Sequence, residues 1–236
     1  MSEILSSSKE ESPATSASAV EAQDVFRTFE IGDNRIEVLK GVTLVAKPGE
    51  KLFLVGPSGA GKTSLLYTLA GLEKPNQGDV IINGRSLYKL SRREQANVRN
   101  SSMGYVFQSF FLLPELTAME NVMVPAMIRG RKGKERALEL LEKVGLADRA
   151  HHLPTELSGG EQQRVAIARS LMNNPAIIFA DEPTGNLDTK TGVAVMDLLM
   201  DLVDEQERTL IVVTHDSALA EVGDRKVTLV DGRITD

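Results

Sequence analysis

The chain has 236 residues, 42% of them hydrophobic and 25% charged, with a formal net charge of −6. These are ordinary globular values for one large domain or a domain with a subdomain, and the acidic balance argues against a nucleic-acid partner, which calls for a basic patch. The absence of cysteine excludes disulfides and thiolate metal sites, and no apolar run reaches the roughly 18 to 20 residues that cross a bilayer as a helix.

Residues 1–20, MSEILSSSKEESPATSASAV, carry early acidic residues and no apolar h-region, so they do not form a signal peptide. Rich in Ser, Ala and Glu, they read as a disordered tail. The folded chain is expected over residues 21–236. VFRTFEI, IEVLKGVTLVA, KLFLVG and DVIING are predicted strands with Gly, Asp or Asn at their ends. KLFLV (51–55) is almost wholly apolar, as a strand buried on both faces should be. It runs into a glycine loop and then a helix, KTSLLYTLAG, which stops at Gly71.

The middle of the chain is mainly helical. SRREQANVR opens with Ser91 and Glu94 as a capping box, and TAMENVMVP opens with Thr117 and Glu120 in the same pattern. Pro125 is expected to kink or end the second helix. The strand-like GYVFQ lies between them, and KERALELLEKVG follows as an amphipathic helix closed by Gly145. A third capping box, Ser158 and Glu161, starts the helix that contains QQRVAIARSLM. Then come the apolar strand AIIFAD, a helix from about Asp188 to Glu205, the strand TLIVVTHD and the closing pair KVTLVDGRITD. Strands alternating with helices imply an α/β fold with a parallel sheet and helical crossovers.

Gly56-Pro57-Ser58-Gly59-Ala60-Gly61-Lys62-Thr63 matches G-x-x-x-x-G-K-[ST] between an apolar strand and a helix. The glycines let backbone N–H groups curl around the β-phosphate of a nucleotide. Lys62 reaches the β- and γ-phosphates, and the Thr63 hydroxyl can ligate Mg²⁺. Asp181 follows an apolar strand, where α/β sheets place ligands, and suits Mg²⁺ through water. Glu182 is placed to polarise an attacking water as a general base. Gln108 ends GYVFQ with a neutral amide that can touch Mg²⁺ or the water, and His215 follows LIVVT within reach of a γ-phosphate. An aromatic upstream of the loop, Phe29 or its competitor Phe26, can stack on adenine. Ser158, Gly159, Gly160 and Glu161 offer backbone N–H groups at a helix start, a second seat for an anion.

These motifs in this order resemble the ATP-binding cassette family over roughly residues 22–236. GPSGAGKT looks like its Walker A motif, IIFADE like Walker B, Gln108 like the Q-loop, LSGGEQQR like the signature, GNLD (185–188) like the D-loop and His215 like the switch histidine. The resemblance implies a P-loop fold with a mixed-sheet lobe, an antiparallel β part and a helical subdomain over about residues 91–170 that carries the signature. It also implies an ATPase that works with Mg²⁺ as a head-to-tail dimer, the signature of one copy closing on ATP held by the other. The nucleotide set then extends through Ser64, and Phe29 stacks on the base. FFLLPELTAMENVMVPAMI and DEPTGNLD look like the ATPases of the lipoprotein-release and macrolide-exporter group. Such ATPases work on the cytoplasmic face of the inner membrane beneath a separate integral-membrane permease.

That permease would lay a short helix into a groove near residues 109–128, with FFLLP as its floor or, alternatively, as subdomain core. The cell-division ATPase is a close cousin, and a DNA-associated cassette is the reading from another class. The latter places a long coiled coil between Walker A and signature, whereas Thr63 and Leu157 are fewer than a hundred residues apart here. Two departures keep their chemistry: Thr63-Ser64 where Ser-Thr is commoner, and Phe29 where tyrosine is usual. The basic stretch RGRKGK (129–134) fits either a solvated loop or contact with anionic lipid.

Overall fold

The computed structural model describes residues 18–32, 34–216 and 219–235. Most of the expected tail, residues 1–17, lies outside them. The fold begins before residue 21. Ala19 and Val20 are buried, and the Ala19 N–H donates to the Ala46 carbonyl at 2.9 Å. The physical reason is that Val20 and Ala22 bring apolar side chains to the inner side of the first strand.

Strands β1 (Val20–Ile31) and β2 (Asn34–Ala46) pair antiparallel, and β1 pairs on its other edge with β4 (Gln77–Ile82), which leads to the short β5 (Arg85–Ser86). This four-stranded sheet has the order β2-β1-β4-β5. A second sheet of six strands contains β3 (Lys51–Val55), β6 (Met103–Phe107), β7 (Ile177–Asp181), β8 (Thr209–Val213), β9 (Arg225–Val230) and β10 (Arg233–Ile234). Its order is β10-β9-β3-β8-β7-β6, parallel except for the terminal β9–β10 hairpin.

All five residues of β7 and of β8 are buried, as continuous apolar runs in a covered parallel sheet should be. Their alternation divides the core. Leu52, Leu54, Ile177, Phe179, Ile211 and Val213 pack with helix α1 (Lys62–Leu69) and the antiparallel sheet. Phe53, Ile178, Ala180, Leu210 and Val212 pack instead with helices α3 (Ala118–Ile128), α4 (Lys134–Lys143), α5 (Gly159–Ser170) and α6 (Thr189–Asp204).

The region 91–170 is therefore not wholly helical. Helix α2 (Arg92–Ser102) has no buried residue, and the chain then returns to the main sheet as its edge strand β6. Pro125 does not end α3, which continues to Ile128. The Pro125 carbonyl is held by Asn100 Nδ2 and Asn173 Nδ2, each at 3.1 Å.

All three capping boxes form. The carboxylates of Glu94, Glu120 and Glu161 accept from the backbone N–H of Ser91, Thr117 and Ser158 at 2.9, 2.9 and 2.8 Å. Each hydroxyl accepts in return from the glutamate N–H at 3.3 Å. These bonds hold all three carboxyl groups below their ordinary pKa of 4.5. A carboxylate whose pKa falls on folding contributes stability in full above its unfolded value, and loses it as pH falls through its folded value. Thermal melts between about pH 5 and pH 3 should thus show the wild type losing more stability than a S91A/T117A/S158A variant. Parallel curves would mean that the caps do not couple to protonation.

Candidate nucleotide site

The parallel registers bring four strand ends to one edge. Phe107 lies beside Asp181, Asp181 beside Val213, and Val213 beside Leu54. The residues that follow these strands are Gln108, Glu182, Thr214-His215 and the loop that starts at Gly56. This carboxyl edge is where ligands bind in α/β sheets.

Two positions in the loop require glycine. Gly56 has φ +143°, and a Cβ there would lie 2.1 Å from the Leu229 carbonyl oxygen. Gly61 caps α1 at φ +99°, and its Cβ would lie 2.7 Å from the Val38 carbonyl oxygen. The β9–β10 turn also braces the loop. The Gly232 N–H donates to the Ala60 carbonyl at 3.1 Å, and the Lys40 N–H donates to the Gly232 carbonyl at 2.9 Å.

The result is a cleft of about 450 Å³ lined by Val38, Ser58, Gly59, Gly61, Lys62, Thr63, Ser64, Glu182 and His215. Lys62 is only 7% exposed. Its ammonium donates to the carbonyls of Gly56 at 2.9 Å and Pro57 at 3.0 Å, so it is folded over the loop it belongs to. With the first N–H groups of α1, it gives the cleft floor a positive character suited to phosphate.

Thr63 Oγ1 donates to Asp181 Oδ1 at 3.1 Å. Burial pushes the Asp181 carboxyl above its ordinary pKa, and the neighbouring Glu182 adds to this. Hydrogen bonds from Tyr67 and Thr63 and the charge of Lys62 oppose it. A hydroxyl beside one carboxylate suits Mg²⁺, which binds through one or two protein oxygens and keeps its other positions for water and substrate phosphates. Among the described residues no cluster of three or more His, Asp or Glu forms a metal cage, and this mode of binding needs none.

Glu182 has a left-handed backbone, φ +45°, directly after β7. Its N–H donates to the Val213 carbonyl at 2.9 Å, and its Oε2 lies 3.0 Å from His215 Nδ1. The His215 side chain is 67% exposed and that of Glu182 23%, so the pair stands at the open side of the cleft.

Three of the sequence-predicted groups are not drawn into this cleft. Gln108 faces the GNLD segment: its Nε2 donates to Asn186 Oδ1 at 3.1 Å, and Asn186 Nδ2 donates to the Gln108 carbonyl at 2.9 Å. Phe29 lies on β1 opposite Ile36, with the Arg27 guanidinium 4.4 Å over its ring. Its competitor Phe26 packs against Gly41, where a Cβ would come within 3.0 Å of the ring. Ser158, Gly159, Gly160 and Glu161 start α5 elsewhere, against the beginning of α6. A Cβ on Gly160 would lie 2.5 Å from Thr191 Cγ2. The Glu161 carboxylate accepts from both the N–H and the hydroxyl of Ser158, each at 2.8 Å.

Sequence reasoning missed Tyr67, Asn186 and Gln163. Tyr67 sits four residues after Thr63 on α1, so helical spacing alone places it on the same face. Burial and the Asp181 charge raise its pKa to about 12. Gln163 is fully buried and donates to the carbonyls of Phe107 and Pro183, which ties α5 to both strand ends.

The ABC transporter family profile matches residues 39–185. A Thermotoga maritima protein described as an uncharacterized ABC transporter ATP-binding protein is 49% identical over 218 residues, 91% of this chain and 93% of the relative. A lipoprotein-releasing system ATP-binding protein LolD from Bacteroides thetaiotaomicron is 50% identical over 202 residues, 84% of this chain and 93% of the relative. Among solved structures, the dimeric ATP-binding cassette MJ0796 in a post-hydrolysis state with ADP and Pi superposes with a TM-score of 0.85. It is 43% identical, and the match covers 92% of this chain and 97% of that one.

Proposed function

This chain belongs to the ABC transporter family, and from that premise we propose that it is the ATP-hydrolysing subunit of a lipoprotein-releasing complex. It acts on the cytoplasmic face of the inner membrane, bound to a separate integral-membrane permease. The observation that carries the working cycle is the separation of two phosphate-friendly helix starts. The loop at Gly56–Ser64 and the α5 start at Ser158–Gly160 lie in different parts of one chain, so a second copy is needed to bring them together. The dimeric cassette of similar fold supports this arrangement.

In the proposed cycle, Lys62 turns from the loop carbonyls to the β- and γ-phosphates of ATP, and the loop N–H groups hold the β-phosphate. Thr63 and Asp181 would hold Mg²⁺, Thr63 by its hydroxyl and Asp181 through water, and the ion would supply positive charge that favours the ionised Asp181. Gln108, once released from Asn186, would help hold the ion and would orient the attacking water. Glu182 takes the water's proton, while His215 orients Glu182 and donates to the γ-phosphate. The Phe29 ring offers its face to adenine. Ser158, Gly159 and Gly160 of the second copy close on the γ-phosphate, with Glu161 fixing Ser158. No helix among the described residues is long and apolar enough to cross a membrane, and in this reading the force is passed to the permease through a docking surface.

A groove of about 410 Å³ between α2, β6 and α3 fits that contact, with Arg99, Tyr105, Phe107, Phe111, Pro125 and Ile128 in its lining. Phe111 is 61% exposed and Ile128 72%, and the groove adjoins Gln108. Its occupant is a short cytoplasmic helix of the permease, whose apolar face it suits. The FFLLP segment divides between two roles. Phe111 lines the groove, whereas Leu112 packs against the helical core.

Phe111→Asp is therefore expected to abolish co-purification with the permease and leave the melting temperature nearly unchanged. Leu112→Asp buries a charge and is expected to destabilise the isolated chain by about 2 kcal/mol or more. If the Phe111→Asp chain still assembled with the permease, the groove would not be the docking site.

A further inference from the structure

Phe110 and Phe111 both have left-handed backbones, at φ +58° and φ +47°. Non-glycine residues adopt this conformation rarely, and adjacent bulky ones need surroundings that over-determine it. The Phe110 N–H donates to the Phe107 carbonyl at 3.2 Å and the Phe111 N–H to the Ser109 carbonyl at 2.6 Å, and to these turn bonds Arg169, in the last turn of α5, adds a side-chain clamp. Its Nη2 donates to the Phe110 carbonyl at 2.6 Å, and its Nη1 donates to the Phe111 carbonyl. One planar fork thus binds two successive carbonyl groups, a geometry that a lysine ammonium does not reproduce. The guanidinium is half-buried, and burial lowers its pKa to about 10, so it remains charged at neutral pH.

The two rings leave this pinned backbone toward different places. The tip of the Phe110 ring lies 3.7 Å from where a Cβ on Gly159 would stand, at the start of the same helix whose end carries Arg169. The Phe111 ring packs edge-to-face on Phe107, with centroids 5.2 Å apart, and is exposed in the groove. Two adjacent aromatics therefore connect the signature end of α5 with the docking surface.

We propose that Arg169 is a positioning residue that couples the signature seat to the permease groove, by holding Phe110 against Gly159 and Phe111 in the groove. Movement of α5 as the signature closes on a nucleotide then displaces the docking surface through a short, stiff link. The coupling rests on the permease reading above; the local role of Arg169 does not.

The test separates these. Hydrogen exchange of the isolated chain with Arg169→Lys should show amides 109–113 exchanging at least tenfold faster, with ATP affinity within about twofold of wild type. Reconstituted with a lipoprotein-releasing permease in vesicles, the same variant should lose at least tenfold of the permease-dependent change in ATP turnover. Arg169→Gln serves in its place if the lysine variant folds poorly. Phe110→Leu keeps the fork and replaces the ring by a shorter branched side chain, so it should weaken the permease response while leaving exchange at 109–113 unchanged. Unaltered exchange in the Arg169 variant would overturn the positioning role. An intact permease response in both variants would overturn the coupling. If wild-type turnover ignored the permease altogether, the transporter reading and the coupling would both fail, and exchange would still judge whether Arg169 positions the segment.

Discussion

Replacing Glu182 by glutamine should lower ATP turnover by about 10²- to 10⁴-fold, the usual contribution of a positioned general base. The amide keeps the size of the carboxylate and can still accept a hydrogen bond from His215, which lies 3.0 Å away. It suits the same left-handed backbone no worse than glutamate does. What it cannot do is take a proton from water. ATP binding should survive, since Lys62, Thr63 and the loop N–H groups are untouched. The variant should then accumulate as an ATP-bound dimer, visible by light scattering in ATP and reversed when nucleotide is removed. Phosphate release within threefold of wild type would take Glu182 out of the catalytic role.

Replacing Asn121 by leucine should cost about 3 kcal/mol of stability, the largest effect expected of a substitution away from the cleft. Asn121 is fully buried on α3. Its Oδ1 accepts from the Leu113 N–H at 2.8 Å, and its Nδ2 donates to the carbonyls of Leu113, Leu116 and Thr117 at 3.1, 2.8 and 3.1 Å. One side chain therefore organises the turn between the groove aromatics and the α3 cap. Leucine fills a similar volume and makes none of these bonds, and each buried polar group left unpaired costs roughly 1 to 3 kcal/mol. Leu113 is partly exposed, so water recovers some of the loss. Urea denaturation should show a lower midpoint with an unchanged slope. A change below about 0.5 kcal/mol would mean that the turn holds itself.

Local signals in the chain announced much of this molecule. Capping boxes at Ser91, Thr117 and Ser158 depend only on residues three apart, and all three form. The apolar runs of β3, β7 and β8 announced strands with both faces covered, and the glycine loop announced its own position between strand and helix. Signals that cross the chain were silent. Gln108 has two kinds of possible partner, metal or amide, and only the meeting of β6 with the GNLD segment selects Asn186. Pro125 lacks the N–H that would bond the Asn121 carbonyl, yet α3 continues because Ala118, Val122 and Ala126 pack into the core with segments far along the chain. FFLLP reads as one apolar block because composition cannot show that its backbone turns left-handed and divides the side chains between groove and core.

The brace between the β9–β10 turn and the nucleotide loop has a consequence for the order in which the protein is made. Residues 56–63 leave the ribosome long before residues 229–232, yet Gly56 closes on Leu229 and Ala60 is held by Gly232. A growing chain thus displays the complete phosphate-binding motif before it has made the hairpin that braces the loop. The braced shape of the nucleotide loop is therefore available only once the β9–β10 hairpin has been made.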